Sequence, residues 1–318
     1  MPRDRRMFGA TTVLLPVCFA ALACARACAC GEERLPGGKG AGDFDSQDAS
    51  GLLSALNCAI TKSLAAPKEH SGRLRGECAA LLRTAEKLIA RGADVPAVPT
   101  SPGEAVFFAM ASSLREGFRP PGLKVQWLAL LEHEVPYVRE KALDYAPPAL
   151  TPLLAPKVAP LLGDANLDVQ IAACHFVGRT KSESLREPLL KTLASAKEQW
   201  LFNAARLAAN EIGAQVDALE VMAGRLDDPE AAERCLDALG WFLSNDGARS
   251  GSAKKPDAAT GKALKERWRK FFADHGAALR AGRKLKPGDA EVKPDLFAGC
   301  VSFTLPDGTR WPNSPQNP

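Results

Sequence analysis

Apolar residues recur at helical spacing between Gly163 and Gly178, and other parts of the chain repeat the pattern found there. A short loop that contains Asp164 comes first. Apolar side chains then follow three or four residues apart, the spacing of one face of an α-helix. They are Val169, Ala172, Ala173, Phe176 and Val177. The pattern predicts an amphipathic helix that ends at Gly178.

Four segments share an apolar start, a small residue four positions on and a helix-stopping residue nine positions on. They begin at Val138, Val169, Ala204 and Ala231. The stopping residues are Pro147, Gly178, Gly213 and Gly240, which are 31, 35 and 27 residues apart. Intervals of this size are typical of repeat architectures. The small residues are Ala142, Ala173, Ala208 and Cys235. Such side chains would let helices of neighbouring repeats pack closely.

A further apolar helix precedes each of the later repeated helices. One is marked by Leu185, Leu189, Leu190 and Leu193, and the next by Leu219, Met222, Ala223 and Leu226. An acidic loop comes before the repeated helix in two cases, Gly163-Asp164 and Asp227-Asp228-Pro229. The chain thus alternates two helices per repeat.

This alternation resembles the HEAT-repeat family, including its short bacterial variety, over roughly Gln126 to Leu243. The segment Glu134-Val135-Pro136-Tyr137-Val138-Arg139 is similar to the motif that opens a HEAT repeat. The chain departs from that family at Pro147, which replaces a closing glycine, and at Pro156 and Pro160, which lie within a first helix. The resemblance implies an all-α fold, an alpha-alpha superhelix (HEAT-like solenoid) over residues 50–243. Its second helices would line the concave surface.

The amino-terminal residues 1–23 have the features of a signal peptide. Arg3, Arg5 and Arg6 form a basic start, and an uncharged, apolar segment follows. Ala21-Leu22-Ala23 before Cys24 fits a cleavage site and resembles a bacterial lipoprotein box, in which Cys24 would be lipidated. We expect an exported, lipid-anchored protein of the cell envelope, with ordinary cleavage and a periplasmic or secreted product as the alternative. Residues 24–49 are predicted to be a flexible tether.

Two cysteines lie on the first two predicted helices, which cover Ser50 to Leu64 and Arg73 to Arg91. If these helices pack antiparallel, Cys58 and Cys78 lie at similar heights. An oxidising compartment would allow a disulfide between them. The alternative is two small buried thiols, since free cysteine is often buried.

The carboxyl-terminal region departs from the repeat pattern. Residues 244–261 lack apolar positions and are predicted to be a flexible insertion, and residues 313–318 a disordered tail. Between them, residues 262–312 are predicted to form a capping helix and a short β-hairpin. Twelve Lys and Arg against six Asp and Glu occur between Gly251 and Asp295. This excess of positive charge could bind an anionic membrane or an acidic partner. The alternative is that the basic residues only form the solvated face of the cap.

Composition excludes one class of function. The chain has 318 residues, of which 46% are hydrophobic and 6% aromatic, and its abundant Ala and Leu favour packed helices. Its formal net charge is +4, but Arg3, Asp4, Arg5 and Arg6 contribute +2 of that within the predicted signal peptide. The mature protein is therefore near neutral, which argues against general nucleic-acid binding.

We find no sequence motif for catalysis. The four histidines have no metal-ligand spacing with one another, and no nucleophile elbow or phosphate-binding loop occurs. They are His70, His133, His175 and His275. We therefore predict no catalytic residue, no metal and no cofactor.

The third and seventh positions of the repeats share one helix face and are mostly polar. They supply seven candidates for a partner-binding groove, namely Glu140, Asp144, His175, Arg206, Asn210, Glu233 and Asp237. The alternative is that these residues only form the solvated side that every such helix needs.

These patterns favour a non-enzymatic protein-binding scaffold or adaptor of the bacterial cell envelope, whose partner the sequence does not identify. One alternative is a HEAT-like enzyme of the lyase type, although the family's lyases would be cytoplasmic and this chain begins with a predicted export signal. Another is a membrane-surface module that acts through the basic helix.

Overall fold

The protein is all-α with one small sheet, as expected from its sequence. The computed structural model describes residues 49–65, 71–244, 249–251 and 253–312, although no side-chain placement is described for 65, 71–75, 249 and 250. The chain divides into two compact units, Met1–Asp94 and Val95–Pro318. The helices of the described residues are α1 Ala49–Ala65, α2 Ser71–Ala90, α3 Pro102–Leu114, α4 Leu123–Leu131, α5 Pro136–Tyr145, α6 Thr151–Leu161, α7 Leu167–Thr180, α8 Arg186–Ser195, α9 Gln199–Glu211, α10 Gln215–Ala223, α11 Ala232–Ser244 and α12 Ala258–Arg280.

The first unit contains α1 and α2, which pack against each other. Their apolar faces are buried at Leu52, Leu56, Ile60, Ala85 and Leu88, as the helical spacing of these residues predicts. Cys58 is half-buried and Cys78 is buried, and no disulfide bond joins them. The disulfide therefore stays a prediction.

The second unit is a two-layer stack of helices. The odd-numbered helices α3, α5, α7 and α9 pack on one another in that order and form one layer. The even-numbered helices α4, α6, α8 and α10 do the same and form the second layer. Helices that follow each other in the chain pack across the two layers, as α4 does with α5 and α9 with α10. The arrangement is an all-α superhelical stack, which confirms the predicted fold class.

The small residue of each repeat lies in the core of this stack. Ala142, Ala173, Ala208 and Cys235 are all buried. Close packing extends to Gly178, because a Cβ atom added there would lie 3.2 Å from the Cα of Ala208 on α9. Small side chains at these positions therefore allow the helices of the odd layer to approach closely.

Two of the predicted helix stops are wrong. Gly178 lies inside α7, which continues to Thr180, and Gly240 lies inside α11, which continues to Ser244. Both glycines are buried, so they serve packing. Gly213 does follow the end of α9, where its φ of +73° suits glycine.

The helix α12 occupies the next place in the even layer, where it packs on α10. Its first turn is capped by Asp257, whose carboxylate accepts a hydrogen bond from the Thr260 N–H at 2.7 Å. Asp217 of α10 forms ion pairs with Arg186 of α8 and with Arg280 of α12. Although burial acts in the other direction, these arginines hold the pKa of Asp217 below its ordinary value. One carboxylate thus ties three even-numbered helices together.

Three short strands close the carboxyl-terminal end. They are β1 Arg249–Ser250, β2 Phe303–Thr304 and β3 Arg310–Trp311, paired antiparallel in the order β1-β2-β3. The predicted hairpin corresponds to β2 and β3. In contrast to the prediction of a flexible insertion over 244–261, residues 249–250 form β1, and the backbone N–H of Lys254 donates to the Cys300 carbonyl at 2.7 Å. Helix α12 begins at Ala258, earlier than the predicted cap at 262.

Several predicted segments lie outside the described residues. They are the signal peptide, Cys24, all but the last residue of the tether, and the tail 313–318. Among the helices that the structure describes, none is long and apolar enough to cross a membrane.

Candidate binding groove between α9 and α11

The structure distributes the seven predicted groove residues over four helices, three of which belong to the odd layer. Glu140 and Asp144 lie on α5, His175 on α7, Arg206 and Asn210 on α9, and Glu233 and Asp237 on α11. Arg206 and Asp237 line one cavity, Arg206 and Asn210 line the narrow space beside it, and the other four residues line neither.

The acidic pair on α5 is engaged within the fold. The Lys141 ammonium lies 2.8 Å from the Glu140 carboxylate and 2.7 Å from that of Asp144. Burial raises the pKa of Glu140 above its ordinary value, and the Lys141 charge only partly offsets this. Arg179 of α7 donates to the carbonyl oxygens of Leu143 at 2.7 Å and Asp144 at 2.6 Å. These groups hold α5 against α7.

Two of the remaining candidates are simply exposed. His175 of α7 and Glu233 of α11 both lie at the surface. Exposure at these two positions fits both a binding surface and the solvated side of an amphipathic helix.

A groove runs between α9 and α11, and we call it the α9–α11 groove. One end is a cavity of about 390 Å³, and its walls include residues of both helices and Gly251. The other end is a second cavity of about 390 Å³ that reaches the segment after α12. The residues lining the groove include Gln199, Phe202, Asn203, Arg206, Asn210, Gln215, Arg234, Asp237, Ala238, Trp241, Phe242, Gly251, Leu279 and Leu285.

Trp241 is the residue common to both ends. Its side chain lines both cavities and the narrow space between them. The residue is 49% exposed, which is high for a large aromatic group that also belongs to a packed helix. The indole of Trp241 therefore forms the central wall of the groove.

Two arginines bridge the helices over aromatic rings. The Arg206 guanidinium lies 5.5 Å from the centre of the Trp241 ring, and that of Arg234 lies 5.5 Å from the Phe202 ring. Both distances suit cation–π contacts. Burial lowers the pKa of Arg206 from its ordinary value. Since guanidinium groups deprotonate only at extreme pH, Arg206 remains a half-buried cation.

Arg234 is incompletely satisfied. One of its terminal nitrogens donates to the Lys197 carbonyl at 2.6 Å. Its Nε is buried and, among the described residues, has no hydrogen-bond partner. An unsatisfied buried donor is costly. The Arg234 guanidinium is therefore held by one backbone carbonyl and by the Phe202 ring, and its Nε is enclosed by the protein.

Asp237 has a structural bond at the edge of the groove. Its carboxylate accepts a hydrogen bond from the Ala253 backbone N–H at 2.7 Å. This bond fixes the segment after β1 against α11. Asp237 thus shapes the groove as well as lining it.

Sequence reasoning missed Trp241, Phe242 and Arg234. The first two follow Gly240, which was interpreted as the end of a helix, so they fell outside the repeat pattern. A tryptophan directly after a repeat, where the pattern expects a helix to have ended, was the available signal. Arg234 lies beside the third position and was not part of the predicted column.

The arrangement suits recognition of another molecule. An arginine on an indole, side-chain amides and an exposed aromatic wall are groups that bind peptides. Within the described residues, no three or more His, Cys, Asp or Glu side chains are grouped to hold a metal ion. Comparison with protein-family models, with curated proteins and with solved structures finds no match.

Proposed function

We propose that the protein is a non-enzymatic, HEAT-like scaffold of the bacterial cell envelope that binds a segment of another protein in the α9–α11 groove. The observation that carries this proposal is Trp241. Its half-exposed indole lies between two cavities of about 390 Å³ each. Aromatic and arginine side chains that line concave sites dominate the energetics of protein interfaces.

The stacked helices support a binding role in a second way. Stacked helical repeats place side chains of successive helices along one extended surface. Here Arg206 and Asn210 of α9 and Asp237 of α11 line adjoining parts of the α9–α11 groove. Because both helices are packed into the core, the groove needs little ordering when a partner binds.

The cellular address of the proposed scaffold rests on the amino-terminal pattern. A basic start, an apolar segment and Ala21-Leu22-Ala23-Cys24 together support export and a lipid on Cys24. Mass spectrometry of the mature amino terminus would show a diacylated Cys24, whereas an unmodified or uncleaved end would contradict the anchor.

Affinity capture tests the binding function. The tagged full-length protein should retain a discrete partner from envelope extract of the source cells, and Arg206→Ala with Asn210→Ala should abolish that retention. Glu187→Ala with Lys191→Ala is the matched control, since it removes an exposed ion pair of α8. Capture unaffected by the groove variant, or lost equally with the control, would contradict the proposal.

The basic helix α12 offers a second candidate function, binding to an anionic membrane surface. Its exposed Lys262 and Lys270 have no ion pair with other described residues. Lys265, Arg269 and Arg280, however, are paired with carboxylates. This pairing reduces the charge available for lipid, so the groove carries the proposal better. Salt-sensitive sedimentation with phosphatidylglycerol vesicles would favour the membrane role instead.

A further inference from the structure

The α9–α11 groove contains two arginines that form no direct ion pair with a described residue, although Arg234 is close enough to Asp228 to help lower the pKa of that carboxyl. Some arginines elsewhere in the second unit have carboxylate partners, as Arg139 has Asp164 and Arg225 has Asp228. Arg206 and Arg234 line the same cavity, and neither forms an ion pair with any described residue. The two groove arginines therefore lack the direct ion pair that Arg139 and Arg225 have.

Asp237 does not supply the missing partner. It is the only acidic residue among the described residues that line this cavity. Its carboxylate accepts the Ala253 N–H, and no ion pair joins it to either arginine. Two guanidinium groups thus share a cavity with one carboxylate that is bonded elsewhere.

A carboxylate from outside would complete these groups. Desolvating a cation without a counter-charge is costly, and Arg206 is half-buried with no ion pair to a described residue. A carboxylate that accepts from a guanidinium forms a short, charge-assisted bond and can do so through two parallel hydrogen bonds. The aromatic ring behind each arginine restricts its motion, so that less freedom is lost on binding.

The other lining groups suit a peptide chain. Gln199 and Asn203 flank the arginines, and the amide of Gln199 donates to the side-chain oxygen of Asn203 at 3.3 Å. Such amides can both donate to and accept from a peptide backbone. Next to them, the exposed indole of Trp241 offers an apolar surface for one side chain.

We infer that the partner of the α9–α11 groove is an acidic segment of another protein. It presents Asp or Glu carboxylates to Arg206 and Arg234 and places an adjacent aromatic side chain on Trp241. This inference rests on the proposed binding function and specifies the chemistry of the partner. Complementary charge at the site is the property that selects it.

Titration with a short peptide tests the inference directly. The probe is acetyl-Glu-Phe-Glu-Glu-amide, and its neutral counterpart is acetyl-Gln-Phe-Gln-Gln-amide. The readout is the indole N–H signal of Trp241 in the ¹⁵N-labelled full-length protein, assigned with Trp241→Phe. The dissociation constant obtained from the shift of this signal should be at least tenfold lower for the acidic peptide than for the neutral one. The signals of the buried Trp127 and Trp268 should not move.

Variants of the two arginines separate the site from general charge attraction. Arg206→Gln and Arg234→Gln should each lower the affinity for the acidic peptide about tenfold, because each removes one charge-assisted hydrogen bond. Arg269→Gln removes the same charge from an exposed position of α12 and should leave the affinity unchanged. Thermal unfolding of each variant verifies that the fold persists. Equal binding of both peptides, or equal loss with Arg269→Gln, would overturn the inference.

Asp246 provides the remaining control. It belongs to residues 245–248, which lie outside the described residues and lead from α11 to β1. If Asp246→Asn strengthened binding of the acidic peptide tenfold, the chain's own carboxylate would be the occupant and the inference would fail. Unchanged affinity supports an external partner.

The two proposals fail in different ways. If the capture experiment identifies a groove-dependent partner but charge in the peptide makes no difference, the binding function holds and the acidic specificity is wrong. If the acidic peptide binds through the arginines but no partner depends on them in cells, the site holds and the scaffold function is wrong.

Discussion

Gly178 determines how closely α7 and α9 can pack. A side chain at this position would meet the backbone of Ala208, whose Cα lies 3.2 Å from the place of a Cβ atom. Contact at that distance requires the neighbouring helix to move. On an exposed helix face, glycine would only lower the stability of the helix.

Gly178→Val should lower the free energy of unfolding of the second unit by about 1–3 kcal/mol, because the added methyl groups overpack the helix contact. His175→Val is the matched control, since it places the same side chain on the exposed side of α7, and it should change stability by less than about 0.5 kcal/mol. Chemical unfolding followed by circular dichroism measures both. Equal effects would show that α7 and α9 are not in close contact.

His133 makes the stability of the turn between α4 and α5 depend on pH. Its Nδ1 accepts a hydrogen bond from the Val135 N–H at 3.0 Å, so the imidazole must be unprotonated at that atom. Burial lowers the pKa of His133 below its ordinary 6.5, and the charge of Glu134 opposes this only in part. The folded state therefore binds this proton less readily than the unfolded chain. The stabilisation is complete above pH 6.5 and is lost as the pH falls below that value.

We expect the free energy of unfolding to fall by about 1 kcal/mol between pH 7.5 and pH 5, which is the net worth of one such hydrogen bond. His133→Gln should remove that part of the pH dependence, whereas His175→Gln, at an exposed position of α7, should leave it in place. Urea titrations at both pH values measure the difference. A pH dependence unchanged in His133→Gln would contradict the assignment.

The element most dependent on a single close approach is the capping helix α12. Gly261 lies against the carbonyl of Leu226, three residues after α10, where a Cβ atom would clash with the backbone oxygen. At the other side of the contact, Lys265 forms an ion pair with Asp227 at 2.9 Å. The first two turns of α12 therefore seat the helix on the stack.

Gly261→Ala should weaken the packing of the first turns of α12 against the stack, because a backbone oxygen cannot move aside as a side chain can. The loss should be about 1–3 kcal/mol, typical of overpacking. Amide hydrogen exchange across 258–272 should become faster in this variant and stay unchanged in Lys262→Ala, which alters an exposed neighbour. Equal protection in both variants would show that the contact does not hold the helix.

Elements with a strong apolar period were the predictable part of the fold. The face of α7 with Val169, Phe176 and Val177 is buried as its spacing indicates. In contrast, β1 exists only because Ser250 pairs with Phe303, far away in sequence, and such pairing leaves no local pattern. The early start of α12 was missed because its first residues carry no apolar period and only Asp257 marks the cap.

At the scale of the whole molecule, the stacking of repeats was predictable and the groove was not. Repeated small residues such as Ala173 and Ala208 indicated neighbouring helices that share a core. Which polar residues meet depends on the distance between helices, and no single repeat encodes it. Arg206 and Asp237 line one cavity, whereas Glu140 of the same predicted column pairs with Lys141.

The site also depends on residues from distant parts of the chain. Gly251 beside β1 and Leu285 after α12 line the groove together with Trp241. These segments reach α11 only because the cap and the small sheet fold back onto the stack. A prediction based on repeats alone therefore finds the helices that carry the site but not its full wall.

The most direct test of the account is cross-linking in the source cells from the groove itself. A photoreactive benzoylphenylalanine at Asn210, an exposed position that lines the groove, should give one discrete light-dependent product with another protein. The same residue at Val125, which is 67% exposed on α4, is the control and should not give that product. No product from position 210, a product only within the chain, or the same product from both positions would contradict a partner-binding groove between α9 and α11.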